Sequence, residues 1–145
     1  MAKKQSIPIP TSTTTLVAGA VIVAQRILAN EEVRRRLTNA PKVAVDWASS
    51  RRSEMRQRGP KLTERFGQKG LERRVNSLGT VVTRVFPDPT DPARVEVLKA
   101  VESLDVALEV AAPLPLTKRR KAQSRIDHQL AELEASLVDA VLPAH

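Results

Sequence analysis

Apolar residues recur in one rhythm four times along this chain. Val33, Leu37, Ala40, Ala44 and Trp47 are spaced 4, 3, 4, 3, and so are Leu71, Val75, Leu78, Val82 and Val85. Val97, Val101, Leu104, Leu108 and Ala111 repeat the spacing, as do Ile126, Leu130, Leu133, Leu137 and Ala140. Steps of this kind keep side chains on one face of an α-helix and would scatter them over both faces of a strand. The pattern predicts an all-α protein, a small helical bundle.

The punctuation between stripes sets the elements. Residues 1–12 carry Pro8, Pro10 and a Ser/Thr run and read as a flexible arm. An apolar helix is expected over 13–29. A basic helix follows over 30–58, capped by Asn30 and kinked or briefly broken at Pro41. Gly59-Pro60 ends it. Residues 61–142 form a three-helix unit, in which a short helix from Lys61 to Phe66 and a turn at Gly67-Gln-Lys-Gly70 lead into the helix of Leu71 to Phe86. The link Pro113 to Leu116 joins two long helices, so 92–142 should close as an antiparallel αα-hairpin. Asp91 and Thr117 are the expected caps of its two helices. Its seam is Val97, Val101, Leu104, Leu108, Ile126, Leu130, Leu133 and Leu137. Leu98, Val106, Val110, Val138 and Val141 widen the apolar face beyond that seam. A third helix, a partner protein or a second copy must cover it.

The segment from Leu16 to Ala24 is the most apolar in the chain. It admits three readings. A spanning helix needs about 20 apolar residues, and Gln25 and Arg26 interrupt this one. A signal peptide would use Lys3 and Lys4, but Ala18-Gly-Ala20 lies inside the apolar run rather than after it. A core helix needs neither. In the membrane reading, Leu16, Val17, Val21, Ile22, Ile27 and Leu28 are the contact residues.

Composition narrows the function. The chain has 145 residues, no cysteine, one Trp and two Phe, so its core is aliphatic and free of disulfides. Net charge is +8 and unevenly placed: residues 1–86 carry +11 and residues 87–145 carry −3. The stretch 51–74 alone carries nine Lys or Arg against three Glu. Its Arg51, Arg52, Arg56, Arg58, Lys61, Arg65, Lys69, Arg73 and Arg74, with the second cluster Lys118, Arg119, Arg120 and Lys121, are candidates to meet an anionic surface. That second cluster sits at a helix amino terminus, where positive charge opposes the dipole by about 0.3–1 kcal/mol. Such a placement suggests a benefit from outside the chain.

Catalytic chemistry finds little support. Ser124 and His128 are one turn apart, but Asp127 points elsewhere and no oxyanion site accompanies them. Asp88 and Asp91 fit turn and cap roles in a Pro-rich connector. Glu132, Glu134 and Asp139 read as the polar face of the last helix. The segment Phe66-Gly-Gln-Lys-Gly-Leu71 is similar to the backbone-clamping loop of KH domains. That fold needs three strands, and the flanks supply none. No enzyme activity, cofactor or metal is expected.

Three functions stand. The first is a non-catalytic helical adaptor on an anionic surface, the cytoplasmic face of a membrane, because the order along the chain is apolar, basic, acidic. The second is a nucleic-acid binder that uses the same arginines. The third is a structural subunit of a helical assembly, joined through the hairpin to a protein partner or to itself.

Overall fold

The computed structural model describes residues 9–56 and 67–142, with side chains described from Val17 onward in the first helix. Six helices and no strand occur among the described residues. They are α1 (Ile9–Ala29), α2 (Glu31–Leu37), α3 (Lys42–Arg56), α4 (Gln68–Val85), α5 (Pro92–Ala111) and α6 (Leu116–Val141).

The local signals explain most boundaries. Asn30 caps α2, its Oδ1 accepting from the Glu32 and Val33 amides at 2.9 and 3.3 Å. Asp91 caps α5 by accepting from the Ala93 amide at 3.0 Å, with Pro92 in the first turn. Asp88 accepts from the Thr90 backbone and hydroxyl, and these bonds hold its carboxyl below the ordinary range. Both aspartates of the connector therefore have the roles expected of them.

Of the kink or brief break expected at Pro41, the break is present: α3 restarts on the Pro41 carbonyl, so the basic segment is two helices. Three other boundaries differ from expectation. Helix α1 starts at Ile9, inside the expected arm. Gly67 is the cap residue of α4 and Gly70 lies within its first turn, so Gly-Gln-Lys-Gly is a helix start. Pro115, not Thr117, occupies the cap position of α6, with no side-chain cap bond. The expected short helix of residues 61–66 lies outside the described residues.

Helices α5 and α6 pack together as the expected hairpin, joined by residues 112–115. All eight expected seam residues are buried. Other helices of the chain cover them. Helix α1 makes its main contact with α5 and a second with α6, while α4 packs on α5 from another side. Val17 shares a groove with Ala107 and Ile126, whereas Arg36, beyond the other end of α1, reaches Asp91. Helix α1 thus runs antiparallel to α5 and parallel to α6. Gln68 at the start of α4 donates to the Leu108 carbonyl at 2.9 Å, and Arg94 at the start of α5 donates to the Phe86 carbonyl. Helix α4 is therefore antiparallel to α5 as well. Helix α3 packs on α6 and α4.

The apolar helix belongs to this core. Val17, Val21, Ala24 and Leu28 are 0–3% exposed, and Ile27 packs against the core cluster. Of the expected membrane-contact residues with described side chains, only Ile22 is exposed, at 48%. The Leu16 side chain lies outside the described set. The apolar stripe that read as membrane contact is instead consumed by α5 and α6. Among the described residues no helix is long and apolar enough to cross a membrane.

Arginines supply the closing contacts. Arg34 and Arg52 donate to the Asp139 and Leu142 carbonyls at 3.4 and 2.6 Å, near the carboxyl end of α6. That helix has no basic residue in its last turn, so α2 and α3 provide the positive charge its dipole favours. Arg36 pairs with Asp91 and lies over the Phe86 ring, 5.4 Å from its centroid.

A core role for α1 has a direct consequence. Leu28→Ala should cost about 2–5 kcal/mol in urea denaturation without any lipid present. A loss below about 0.5 kcal/mol would mean that α1 is not part of the folded core.

Candidate anionic-surface interface

The basic residues divide into two groups that their sequence does not separate. The first group is inside. Arg51 is 8% exposed and Glu134 is fully buried. Arg51 Nη2 donates to Glu134 Oε1 at 2.9 Å, and Arg74 Nη2 donates to the same oxygen at 2.7 Å. Arg74 Nε reaches Glu134 Oε2 at 3.4 Å, which makes the pair forked. Arg74 Nη1 also donates to Asp127 at 2.5 Å, and Arg51 pairs with Glu54. One carboxylate of α6 thus joins α3 to α4.

Burial works against the Arg74 charge, but hydrogen bonds and attraction from Glu134 and Asp127 outweigh it. The guanidinium is held above its ordinary value. The sign follows: a raised value stabilises the fold at every pH below the unfolded value and is lost only in strongly alkaline solution. Arg51 Nε is buried and has no hydrogen-bond partner among the described residues, a cost of about 1–3 kcal/mol. A cleft of about 200 Å³ lined by Trp47, Ser77 and Arg73 opens beside this cluster. Both Glu134 oxygens are engaged by guanidinium donors, so the cluster ties α3 and α4 to α6.

The second group is outside and lies at one end of the bundle. Lys118, Arg120 and Lys121 are exposed in the first turns of α6, and Arg125 is exposed one turn further on. Arg119 is half-buried and donates to the Leu114 carbonyl at 3.4 Å. None of Lys118, Arg120, Lys121 and Arg125 has an ion-pair partner among the described residues. Two grooves flank this helix start. One, of about 530 Å³, runs between Arg119, Arg120 and Gln123 on α6 and Gly67 and Gln68 on α4. The other, of about 420 Å³, runs between Lys118, Lys121 and Arg125 on α6 and Val17 on α1, floored by the end of α5. No Asp or Glu lines either groove among the described residues. Leu116 and Val110 stand beside them, each 52% exposed.

The expected surface residues therefore fare unequally. Arg51 is buried and Arg74 is partly buried, because Glu134 draws both inward. Arg52 is half-buried on the α6 carboxyl end. Arg56, Lys69 and Arg73 are exposed, and Lys69 follows Gln68 at the grooved end. Arg58, Lys61 and Arg65 lie outside the described residues. Two residues were missed. Arg125 stands four positions after Lys121, so helical spacing alone would have joined it to the cluster. Glu134 stands four before Val138 and seven before Val141, on the buried side of the helix that those residues marked.

The remaining chemistry is sparse. His128 is exposed and lies 3.3 Å from Glu132, its neighbour one turn on. No group of residues suited to hold a metal ion occurs among those described. No family model, curated protein or solved structure matches the chain.

Breaking the buried cluster tests its role. Glu134→Gln removes the charge that Arg51 and Arg74 share and leaves them only Glu54 and Asp127, which should cost up to about 3–5 kcal/mol by chemical denaturation. Replacing Arg51, Arg74 and Glu134 together by Met, Met and Leu should recover most of that loss. A Glu134→Gln variant as stable as the wild type would contradict the assignment.

Proposed function

We propose that this protein is a non-catalytic helical adaptor that docks its basic end on an anionic membrane surface. The cytoplasmic leaflet is the natural candidate for that surface. The observation that carries the reading is the group of unpaired cations at the start of α6, set around exposed Leu116 and Val110. Cations and apolar side chains on one surface provide two weak signals together, which stable attachment to a bilayer needs. The attachment differs from the one the sequence suggests: it uses the hairpin end of the bundle rather than α1.

Electrostatics favour this placement. Four cations crowd the positive end of the α6 dipole, a local arrangement that costs stability in water. An anionic surface reverses the sign of that cost. Each Lys or Arg close to such a leaflet contributes about 1 kcal/mol. No carboxylate is among the described lining of either groove, so nothing in that lining repels a phosphate. Among the described residues base stacking has little to work with, because Trp47 is half-buried beside the Arg51 cluster and Phe86 is fully buried.

Flotation on vesicles tests the proposal. Full-length protein should rise with phosphatidylglycerol-containing vesicles, remain below phosphatidylcholine vesicles, and stay lipid-bound with competing duplex DNA at equal phosphate. Changing Lys118, Arg120, Lys121 and Arg125 to Gln should weaken binding by roughly three orders of magnitude. Unchanged flotation of that variant would contradict the proposed surface. Transfer of the wild type to DNA would favour the nucleic-acid reading instead.

A further inference from the structure

We infer that the groove between α1 and the hairpin end takes one acyl chain of an anionic lipid, with the headgroup held by Lys118, Lys121 and Arg125. The inference rests on the membrane reading above and adds to it a defined ligand.

The groove is built for an amphiphile. Its wall and floor are Val17, Ala107, Ala111, Leu114, Ala122 and Ile126, and its one rim is cationic. Lys118, Lys121 and Arg125 are spaced i, i+3, i+7, which puts them in a single row along α6. That row is about 10 Å long at 1.5 Å per residue. Each of the three is exposed and without an ion-pair partner among the described residues, so the row is free to meet an anion. Mostly apolar concavities with a few placed polar groups are the usual form of small-molecule sites.

Size chooses between occupants. The groove holds about 420 Å³. A partner helix, about 10 Å across and as long as the rim, would fill roughly 800 Å³ and would rest on the groove rather than enter it. Three alanines along the trough leave a narrow channel that suits a polymethylene chain. Charge chooses the head: a row of three cations with no acidic neighbour in the lining fits a phosphate ester and disfavours a basic peptide.

Titration of the full-length protein with monomeric dodecyl phosphate tests the inference. We expect saturable one-to-one binding. Inorganic phosphate should not saturate, and uncharged dodecyl maltoside should bind about tenfold more weakly or worse. Ala122→Phe fills the trough and leaves the rim, so it should lose dodecyl phosphate binding while still floating on anionic vesicles. Ala107→Leu narrows the same trough from α5 and serves if the first variant is unstable. Absence of saturable binding in the wild type, or equal binding in a folded, filled variant, overturns the groove assignment. If flotation persists in either case, the membrane reading stands without it. Displacement of dodecyl phosphate by an acidic amphipathic peptide at lower concentration would give the groove to a protein partner and also overturn the inference. Loss of both flotation and dodecyl phosphate binding in the wild type would remove both proposals.

Discussion

The arrangement depends on a single buried carboxylate. Glu134 is fully enclosed, and burying an ion of its kind costs several kcal/mol unless charge and hydrogen bonds compensate. Arg51 and Arg74 provide both. They come from α3 and α4, so satisfying Glu134 obliges two helices to close on α6 in one register. Helix α3 needs that tie. Its fully buried residues are only Ala44, Ala48 and Arg51, with Val45 and Trp47 half-buried against the core. The ion pairs select a position for α3 that hydrophobic burial alone would leave loosely defined. Such a cluster adds less net stability than its number of bonds suggests, and its main effect is on which arrangement forms.

The same closure sorts the charges by place. Five arginines from the basic half are engaged inside or near the carboxyl end of α6: Arg51 and Arg74 on Glu134, Arg34 and Arg52 on carbonyl oxygens, Arg36 on Asp91. At the opposite end, where α6 begins, Lys118, Arg120, Lys121 and Arg125 are exposed and have no ion-pair partner among the described residues. The mildly acidic half of the chain thus carries its own cluster of unpaired cations. Packing of α1 along the hairpin leaves the second groove beside that surface, because Val17 lies against the end of α5.

The helices and the hairpin were legible because they follow from spacing. Steps of 4 and 3, a Pro-rich link and two capping residues are local signals, and each left its mark in the fold. The use of the stripes was less legible. The Val17 to Leu28 stripe is equally suited to lipid and to other aliphatic helices, and only the broad face of α5 and α6 decides between them. That face was visible in Val138 and Val141, but nothing local says which helix will cover it. Ion pairing was the least legible. Arg51 and Arg52 are adjacent and chemically identical, yet one reaches a buried glutamate and the other a helix end, a difference set by their positions around α3. Glu134 read as solvated because carboxylates usually are, although its helical position placed it beside residues already assigned to the core.

Amide hydrogen exchange, compared between the wild type and Glu134→Gln, tests the central claim most directly. If the buried carboxylate holds α3 in place, the α3 amides should lose protection in the variant well before those of α1, α5 and the middle of α6. Equal loss across all helices, or full retention in α3, would contradict the account.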